Sequence, residues 1–580
     1  MGLNTSLQIG ASGLLSSQAA IQATGNNLSN LATEGYHRTD AGLAAVRATE
    51  IQNGIFIGQG VQLQSVSRMV DEALEARLRG AVSDQAGSLS MQNLFSEIEA
   101  IENELSSVDL STRLGAFFNA WSDLANNPQD LSLRTLIVEE AATLTDYIQD
   151  MRGQFGSMQQ RIDDRIGNTA DTVNGILDRI ADLNNSIVLQ EGGTGGESTG
   201  LRDQRDLLLT ELSEYMDIST VPQAGGGLDI YVGSLPVVIN GQSRGIVVES
   251  QAVDGQLQTT VRIAADNSPL NVQSGELGAL IEFRGTALED AIDVLDTFTN
   301  SLVFEINRLH SQSSGLVNHS HLWATEAVAD TSAILDRPEA GLNFTPEHGS
   351  FELHVTQLST GQRVTTTIYI DLDGINSAGV STRAVLPPGD DTTLDSLTDD
   401  IDDIDNIHAT IGPDGRLHIE GDSSDFQFSF SNDTSGVLAA LGINTFFTGS
   451  DAFDVAVHTE LVGDPRFVAG GRNDLVGDNT GALEIARMRS EGMDSLNGLS
   501  MQGYWNRHVE GVAIQTNQAR EQLQADTVVM ENLRVQQQAF SGVNTDEETI
   551  SLLKYQRMYQ ANARFIGVVD ELMQTLLNVI

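Results

Sequence analysis

Cysteine is missing from all 580 residues, and lysine occurs once, at Lys554. Without thiols the chain can form no disulfide framework and no thiolate-ligated zinc site. No stretch approaches the roughly 18 apolar residues that a membrane-spanning helix needs. The region before Arg38, which is the first basic residue, lacks the positive charge of a secretory signal peptide. We therefore expect no membrane insertion, and export without a cleaved signal if the protein leaves the cell.

Positive charge is also scarce, because 31 Lys and Arg residues stand against 80 Asp and Glu residues, giving a formal net charge of −49. Such a surface repels a phosphate backbone, which argues against nucleic acid as a partner. An acidic, lysine-poor surface suits hydration in concentrated salt, and compositional drift explains it equally well. The hydrophobic fraction of 40% is enough for folded cores.

The two ends of the chain differ from the middle in charge. Residues 1–50 carry a net charge of −1 and residues 541–580 a net charge of −2, so the middle holds −46 of the total of −49. Surfaces that pack against copies of themselves cannot carry much like charge. The nearly neutral ends therefore indicate segments that take part in self-association.

Both ends also show helical periodicity. In the first stripe four large apolar residues lie seven apart, and five further residues fill the offset positions: Leu7, Leu14, Ile21 and Leu28, with Leu3, Gly10, Ser17, Thr24 and Leu31 between them. The second alternates steps of three and four: Leu552, Tyr555, Tyr559, Asn562, Ile566, Val569, Met573, Leu576 and Ile580. This pattern predicts a coiled-coil seam in which Asn562 sets the register. Thr545 and Glu548 predict a capping box at the start of the second helix.

We therefore predict coiled-coil polymerisation segments at residues 1–50 and 541–580. The apolar stripes alone do not offset the backbone entropy of ordering about 60 residues, at roughly 1–2 kcal/mol each. Two interpretations remain open. The helices order only when they stack on neighbouring copies, or they form an ordinary intramolecular pair that closes one domain.

The middle of the chain predicts an α+β multidomain protein, with a long-helix bundle that carries inserted β-rich domains. Residues 70–215 have helical periodicity, including one stripe from Leu144 to Ile187, and residues 286–315 and 465–540 return to it. Short runs of β-forming residues separated by Gly, Pro and Asn predict β-rich domains at residues 217–285 and 348–460.

Patterns that suggest catalysis or metal binding are present but incomplete. The Gly-x-Ser-x-Gly pattern at residues 241–245 lies between two predicted strands, where it indicates a hairpin turn and not a nucleophile elbow. The aspartates of residues 395–405 alternate with apolar residues at helical spacing, which predicts the solvated face of a helix. Asp371 and Asp373 lack the other positions of a calcium loop, and His319 and His321 lack a third ligand. We expect no catalytic residue, no metal site and no cofactor.

Residues 11–38 read ASGLLSSQAAIQATGNNLSNLATEGYHR and resemble the N-terminal motif shared by bacterial flagellar rod, hook and hook-associated proteins. The core of this motif is an asparagine-rich run followed by Gly-Tyr: Asn26, Asn27, Leu28, Ser29, Asn30, Gly35 and Tyr36. The family usually has proline where this chain has Glu34. Residues 541–577 are similar to the C-terminal motif of the same family. Residues 201–206, 351–355 and 433–452 resemble segments of the hook-associated proteins.

The resemblance implies a structural subunit, and not an enzyme, that assembles helically at the hook–filament junction outside the cell. It implies export through the flagellar type III apparatus. The implied partners are copies of the same chain, the hook protein, a second junction protein on the filament side and an export chaperone at the C-terminal helix. The assembly interface would comprise the two stripes and the asparagine-rich motif. Two alternatives are another axial subunit, of the hook or distal rod, and an axial protein with an enzymatic insert in residues 217–285 or 348–460.

Overall fold

The structure is a computed structural model that describes residues 2–52, 55–104, 108–192, 196–253, 256–375, 391–472 and 477–579. It divides into two compact units. The first comprises residues 1–95, 160–286 and 516–580, and the second comprises residues 96–159 and 287–515. The predicted β-rich segments 217–285 and 348–460 each fall within one unit, whereas predicted segment 70–215 contributes to both. The domain boundaries inferred from the sequence therefore stay a prediction.

The chain begins with helix α1 (Gly2–Ser29), which is followed by four short strands. These are β1 (Thr39–Ala45), β2 (Thr49–Gln52), β3 (Ile55–Ile57) and β4 (Val61–Arg68). Strand β1 pairs antiparallel with β4, and β2 pairs antiparallel with β3. The segment 1–50, predicted as a coiled coil, is thus helical only to Ser29. Its remainder turns through Gly35, whose positive φ of 73° suits glycine, and enters the strands.

Four helices follow: α2 (Glu72–Glu102), α3 (Leu110–Asn126), α4 (Leu131–Glu191) and α5 (Thr199–Tyr215). Helix α4 has 61 residues, which at about 1.5 Å per residue corresponds to roughly 90 Å. The apolar stripe predicted from Leu144 to Ile187 lies within α4, and both of these end residues are fully buried. The long amphipathic helix predicted from the sequence is confirmed.

The β-rich part of the first unit contains six strands: β5 (Ser219–Pro222), β6 (Leu228–Val232), β7 (Leu235–Ile239), β8 (Gln242–Ser243), β9 (Ile246–Val253) and β10 (Gln256–Ile263). Strands β5 to β8 form one antiparallel sheet in sequence order, and β9 pairs with β10. Asn240 and Gly241, between β7 and β8, both have positive φ, at 51° and 71°. This favours a tight primed hairpin turn. The hairpin predicted for the Gly-x-Ser-x-Gly pattern is confirmed.

Two helices, α6 (Gly275–Arg284) and α7 (Ala287–Ser311), lead into the mixed part of the second unit. Its elements are β11 (His321–Trp323), β12 (Gly349–Gln357), β13 (Gln362–Ile370), α8 (Leu394–Asp402), β14 (Ile407–Ile411), β15 (Leu417–Gly421), β16 (Phe426–Ser431), α9 (Val437–Ala440), β17 (Phe447–Thr448), β18 (Ala456–Val457), α10 (Thr459–Gly463) and α11 (Thr480–Arg487). The sheets β13-β12-β16 and β11-β15-β14 share one apolar core with α8. Leu394, Leu397 and Ile401 of α8 are buried in that core. The aspartate-rich run is therefore helical to Asp402, as predicted, whereas Asp403 and Asp405 lie beyond the end of the helix.

Two long helices complete the chain: α12 (Met501–Ser541) and α13 (Thr545–Val579). The predicted capping box at Thr545 is wrong, because Asn544 Oδ1 accepts the backbone N–H of Asp546 at 2.9 Å. Glu548 is buried and engaged elsewhere. None of the helices in the described ranges has an apolar stretch that could cross a bilayer. The predicted α+β multidomain class, with long helices and β-rich insertions, is confirmed.

Candidate assembly interface

The terminal helices α1 and α13 pack against each other within the one chain. The face of α1 that is buried consists of small and polar residues: Gly10, Gly13, Ser16, Ser17, Ala20, Thr24 and Asn27. A Cβ atom placed on Gly10 would lie 2.7 Å from Ile566 Cγ1, and one on Gly13 would lie 2.7 Å from Asn562 Nδ2. The glycines thus allow close contact between the helices. The interpretation that the ends have no partner in their own molecule is wrong for these faces, and the intramolecular pair is the correct alternative.

The large residues of the N-terminal stripe flank this small-residue face. Five of them are partly exposed: Leu3, Leu7, Leu14, Ile21 and Leu28. Leu31 lies beyond the helix and is 49% exposed. The large residues of the heptad pattern therefore mark the rim of the α1–α13 contact, whereas Gly10, Ser17 and Thr24 at its offset positions are buried in the contact.

The stripe on α13 points toward α1 along most of its length. Val569 is buried, and five of its other members are partly buried: Leu552, Tyr555, Asn562, Ile566 and Met573. Tyr559 and Leu576 are exposed, by 37% and 54%, and Ile580, the last predicted member, lies outside the described residues. Met558 is partly buried in place of Tyr559, which is one position along the same turn.

A second apolar stripe on α13 faces solvent in the single chain. Phe565, Val568, Leu572 and Leu576 are 43%, 55%, 53% and 54% exposed. Their spacing of three, four and four places them on one side of the helix, next to the face that contacts α1. Leu15 of α1 is likewise 66% exposed. The helix pair therefore buries one side of α13 and leaves a neighbouring apolar side uncovered.

The asparagine-rich motif joins the end of α1 to β1 and to α13. Asn27, which is 1% exposed, is the centre of this contact. Its Oδ1 accepts hydrogen bonds from Tyr36 Oη at 2.8 Å, from the Thr39 backbone N–H at 3.0 Å and from Thr39 Oγ1 at 2.9 Å. Its Nδ2 donates to Thr39 O at 2.9 Å and to Glu548 Oε2 at 3.0 Å. Every hydrogen-bonding position of this amide has a partner of this chain.

Other residues of the motif shape the turn after α1. Asn26 Nδ2 donates to Tyr36 Oη at 3.2 Å, and Asn30 Nδ2 donates to Asn26 O at 3.0 Å. Burial is the largest influence on Tyr36 and raises the pKa of its phenol. A Cβ on Gly35 would lie 3.3 Å from Leu207 Cβ. Within this chain the motif acts as a polar clamp, which the sequence alone did not reveal.

A buried ionic network continues from this clamp into α2 and α5. His37 Nδ1 lies 2.9 Å from Asp203 Oδ1, and His37 Nε2 lies 3.5 Å from Glu75 Oε1. Arg68 pairs with Asp203 at 2.9 Å and with Asp206 at 2.7 Å. Burial acts to lower the pKa of His37, but the hydrogen bonds with Asp203 and Glu75 outweigh it and raise the pKa to about 9. His37 is therefore a cation at neutral pH.

Arg38 provides a further link to the start of α13. Its guanidinium lies 3.0 Å from Glu547 Oε2 and 2.7 Å from Glu548 Oε1. The sequence analysis missed His37, Arg38 and Arg68 as structural residues. Their acidic partners are far away along the chain. The only local signal was the scarcity of basic residues, because a rare cation among many carboxylates tends to form an ion pair.

Comparisons with known proteins agree with the resemblance seen in the sequence. The model of the flagellar hook-associated protein FlgK helical domain matches residues 95–320, and that of the flagellar basal body rod FlgEFG protein C-terminal matches residues 536–579. Flagellar hook-associated protein 1 of Salmonella typhimurium is 24% identical over 98% of both chains. The Escherichia coli protein of that name is 23% identical over 98% of both chains.

The protein of that name from Bacillus subtilis is 23% identical and covers all of this chain and 98% of its own. The solved structure of the flagellar hook junction protein FlgK from Burkholderia pseudomallei covers 80% of this chain and 100% of its own, with 13% identity and a TM-score of 0.49. The sequence matches extend over nearly the whole length on both sides and include both ends. Along nearly its whole length the chain is thus similar to proteins named flagellar hook-associated protein 1.

Proposed function

We propose that this protein is a structural subunit of the bacterial flagellum that forms the junction between hook and filament by helical self-assembly. The observation that carries the proposal is the uncovered apolar stripe of α13, formed by Phe565, Val568, Leu572 and Leu576. It lies in an almost neutral end of a chain whose net charge is −49. The similarity to flagellar hook-associated protein 1 along nearly the whole chain supports this place of the assembly in the flagellum.

The mechanism is geometric. Within a subunit, the small-residue face of α1 closes against α13, and the clamp around Asn27 fixes this pair to β1. Between subunits, the stripe of α13 packs on neighbouring copies. Covering four half-exposed side chains contributes about 1 kcal/mol each, or roughly 4 kcal/mol per subunit. The contribution is repeated at every position of the layer.

The proposed partners are copies of this chain, the hook protein on one side and a second junction protein on the filament side. We also propose that the subunit leaves the cell through the flagellar export apparatus without a cleaved signal. Before export, a chaperone would cover the exposed stripe of α13. A chain that lacks residues 541–580 should then lose this chaperone in a pull-down from cell extract. We propose no catalytic activity.

Leu572→Asp tests the contact between subunits. Ile566 is a poor choice, because it contacts Gly10 and its substitution would also disturb the intramolecular pair. Leu572 is 53% exposed, so the subunit should still fold. Gln556→Asp is the matched control, since it adds the same charge at an exposed position about 160° around the same helix.

The assay is electron microscopy of cells in which only the variant is produced. Cells without the protein should have hooks without filaments and should release filament protein into the medium. Leu572→Asp should reproduce this phenotype, and Gln556→Asp should restore filaments. Normal filaments with Leu572→Asp would contradict the proposed contact. A continuous tube of this protein, and not a thin layer at the junction, would instead identify it as a hook or rod subunit.

A further inference from the structure

Three side chains that suit metal binding meet at the open end of the β12–β13 hairpin in the second unit. The antiparallel register pairs Gly349 with Ile370. His348, one residue before β12, is therefore opposite Asp371, one residue after β13. His348 Nδ1 lies 3.2 Å from Asp371 Oδ1. Asp373, two residues further, completes the group.

The ligand atoms of these three residues converge closely enough for a single ion. One atom from each of His348, Asp371 and Asp373 lies within 4.8 Å of the others. Among the residues that the structure describes, no other set of three His, Asp or Glu side chains meets this condition. In a chain with 80 acidic residues and 10 histidines, this convergence distinguishes the group from scattered surface acids. The side chains of His348 and Asp371 are 58% and 37% exposed, so an ion and its remaining waters have access.

The backbone that carries the two aspartates is held by a buried segment. The Asp371 N–H donates to Thr392 Oγ1 at 2.8 Å, and the Thr392 N–H donates back to Asp371 O at 2.7 Å. The Gly374 N–H donates to Asp391 Oδ1 at 3.2 Å. Asp391 and Thr392 are each 5% exposed. The backbone on either side of the two carboxylates is thus fixed by the fold before any ion binds, and the Ile375 N–H donates to Asp373 Oδ1 at 2.7 Å. This arrangement favours affinity.

The donor set indicates the class of ion. An imidazole with two carboxylates suits Zn²⁺ and other first-row divalent ions, whereas Ca²⁺ and Mg²⁺ prefer oxygen ligands alone. Three protein ligands leave further positions for water. We propose that His348, Asp371 and Asp373 bind a divalent transition-metal ion such as Zn²⁺, which joins the start of β12 to the segment after β13. The sequence analysis expected no metal site. It could not show that the pairing of β12 with β13 brings His348 next to Asp371.

The test is isothermal titration of the full chain with Zn²⁺, accompanied by the visible absorption of bound Co²⁺. The wild-type chain should show a saturable site. His348→Ala and Asp373→Asn should each weaken Zn²⁺ binding at this site about tenfold or more. Both should also remove the Co²⁺ absorption of the site. Asp373 is exposed, so Asp373→Asn should not prevent folding. His408→Ala is the matched control, because His408 is also exposed and lies beside a single aspartate, Asp402.

An unchanged Zn²⁺ affinity in His408→Ala, together with the loss in the other two variants, would support the site. Equal affinities in the wild-type chain and His348→Ala would overturn it. So would the absence of saturable Zn²⁺ binding, or binding of Ca²⁺ alone that His348→Ala leaves unchanged.

Discussion

Replacing Asn27 by alanine should uncouple the terminal helices from the rest of the first unit. The substitution removes all the side-chain hydrogen bonds of a residue that is 1% exposed. Glu548 keeps its ion pair with Arg38 at 2.7 Å, but the backbone N–H and C=O of Thr39 each lose the bond that they make with Asn27. A buried polar group without a partner costs about 1–3 kcal/mol. We expect a local destabilisation of about 3 kcal/mol.

Hydrogen exchange measured by mass spectrometry is the appropriate assay, because a chain with two compact units has no single free energy of unfolding. A loss of about 3 kcal/mol corresponds to roughly 100-fold faster exchange in peptides from α1, β1 and the start of α13. Asn26→Ala is the matched control. Asn26 is the adjacent, exposed asparagine, and its side chain donates to Tyr36 Oη at 3.2 Å. Equal acceleration in both variants would refute the central role of Asn27, and so would unchanged exchange in Asn27→Ala.

Three further predictions address packing, protonation and net charge. Gly10→Ala should destabilise the α1–α13 pair by about 1–3 kcal/mol through overpacking. Gly25→Ala, where an added Cβ meets nothing within 4 Å, should instead stabilise α1 by up to about 1 kcal/mol. Hydrogen exchange of α1 amides measures both effects, and a change in the same direction for both variants would contradict the close contact. The pKa of His37 is about 9 in the folded chain against an ordinary 6.5, so the stability that His37 contributes should be complete below about pH 6.5 and lost as the pH rises through 9. His37→Gln should remove this part of the pH dependence in urea denaturation. An identical pH profile in the variant would argue against the network. Because the net charge is −49, added salt should raise the denaturation midpoint by screening repulsion, and a flat response would exclude this effect.

The sequence predicted those features that depend on neighbours along one element. The long stripe of α4, the hairpin at Asn240 and Gly241 and the apolar face of α8 follow from local periodicity or turn chemistry, and all are present. On α13 the three-four alternation selected the correct side for Ile566 and Val569. It was wrong at Tyr559, because the four-residue step from Tyr555 leads past the face that contacts α1. Met558 is the partly buried residue of that turn. The role of these residues in assembly stays a prediction.

What the sequence could not show depends on residues that are distant along the chain. The two helices meet through Gly10 and Gly13; the seven-residue spacing included Gly10 in the stripe of α1, but it did not identify α13 as the partner of that face. Glu548 was assigned to a local cap, but it bonds to Asn27 and Arg38, more than 500 positions away. His348 and Asp371 become neighbours only through the pairing of β12 with β13. In each case the periodicity of a single segment holds no information about the partner.

The close contact of α1 with α13 also explains why an apolar stripe stays uncovered. Glycine and serine on α1 bring the helix axes near each other, so α1 is narrow on that side and covers only the arc around Ile566 and Val569. The adjoining arc, with Val568 and Leu572 more than half exposed, lies beyond its reach. A leucine-rich contact face on α1 would have spread further around α13 and covered more of this arc. Small residues inside the pair and large residues beside it are therefore two parts of one arrangement, in which the chain closes its own helices and retains the apolar surface that we propose packs on neighbouring subunits.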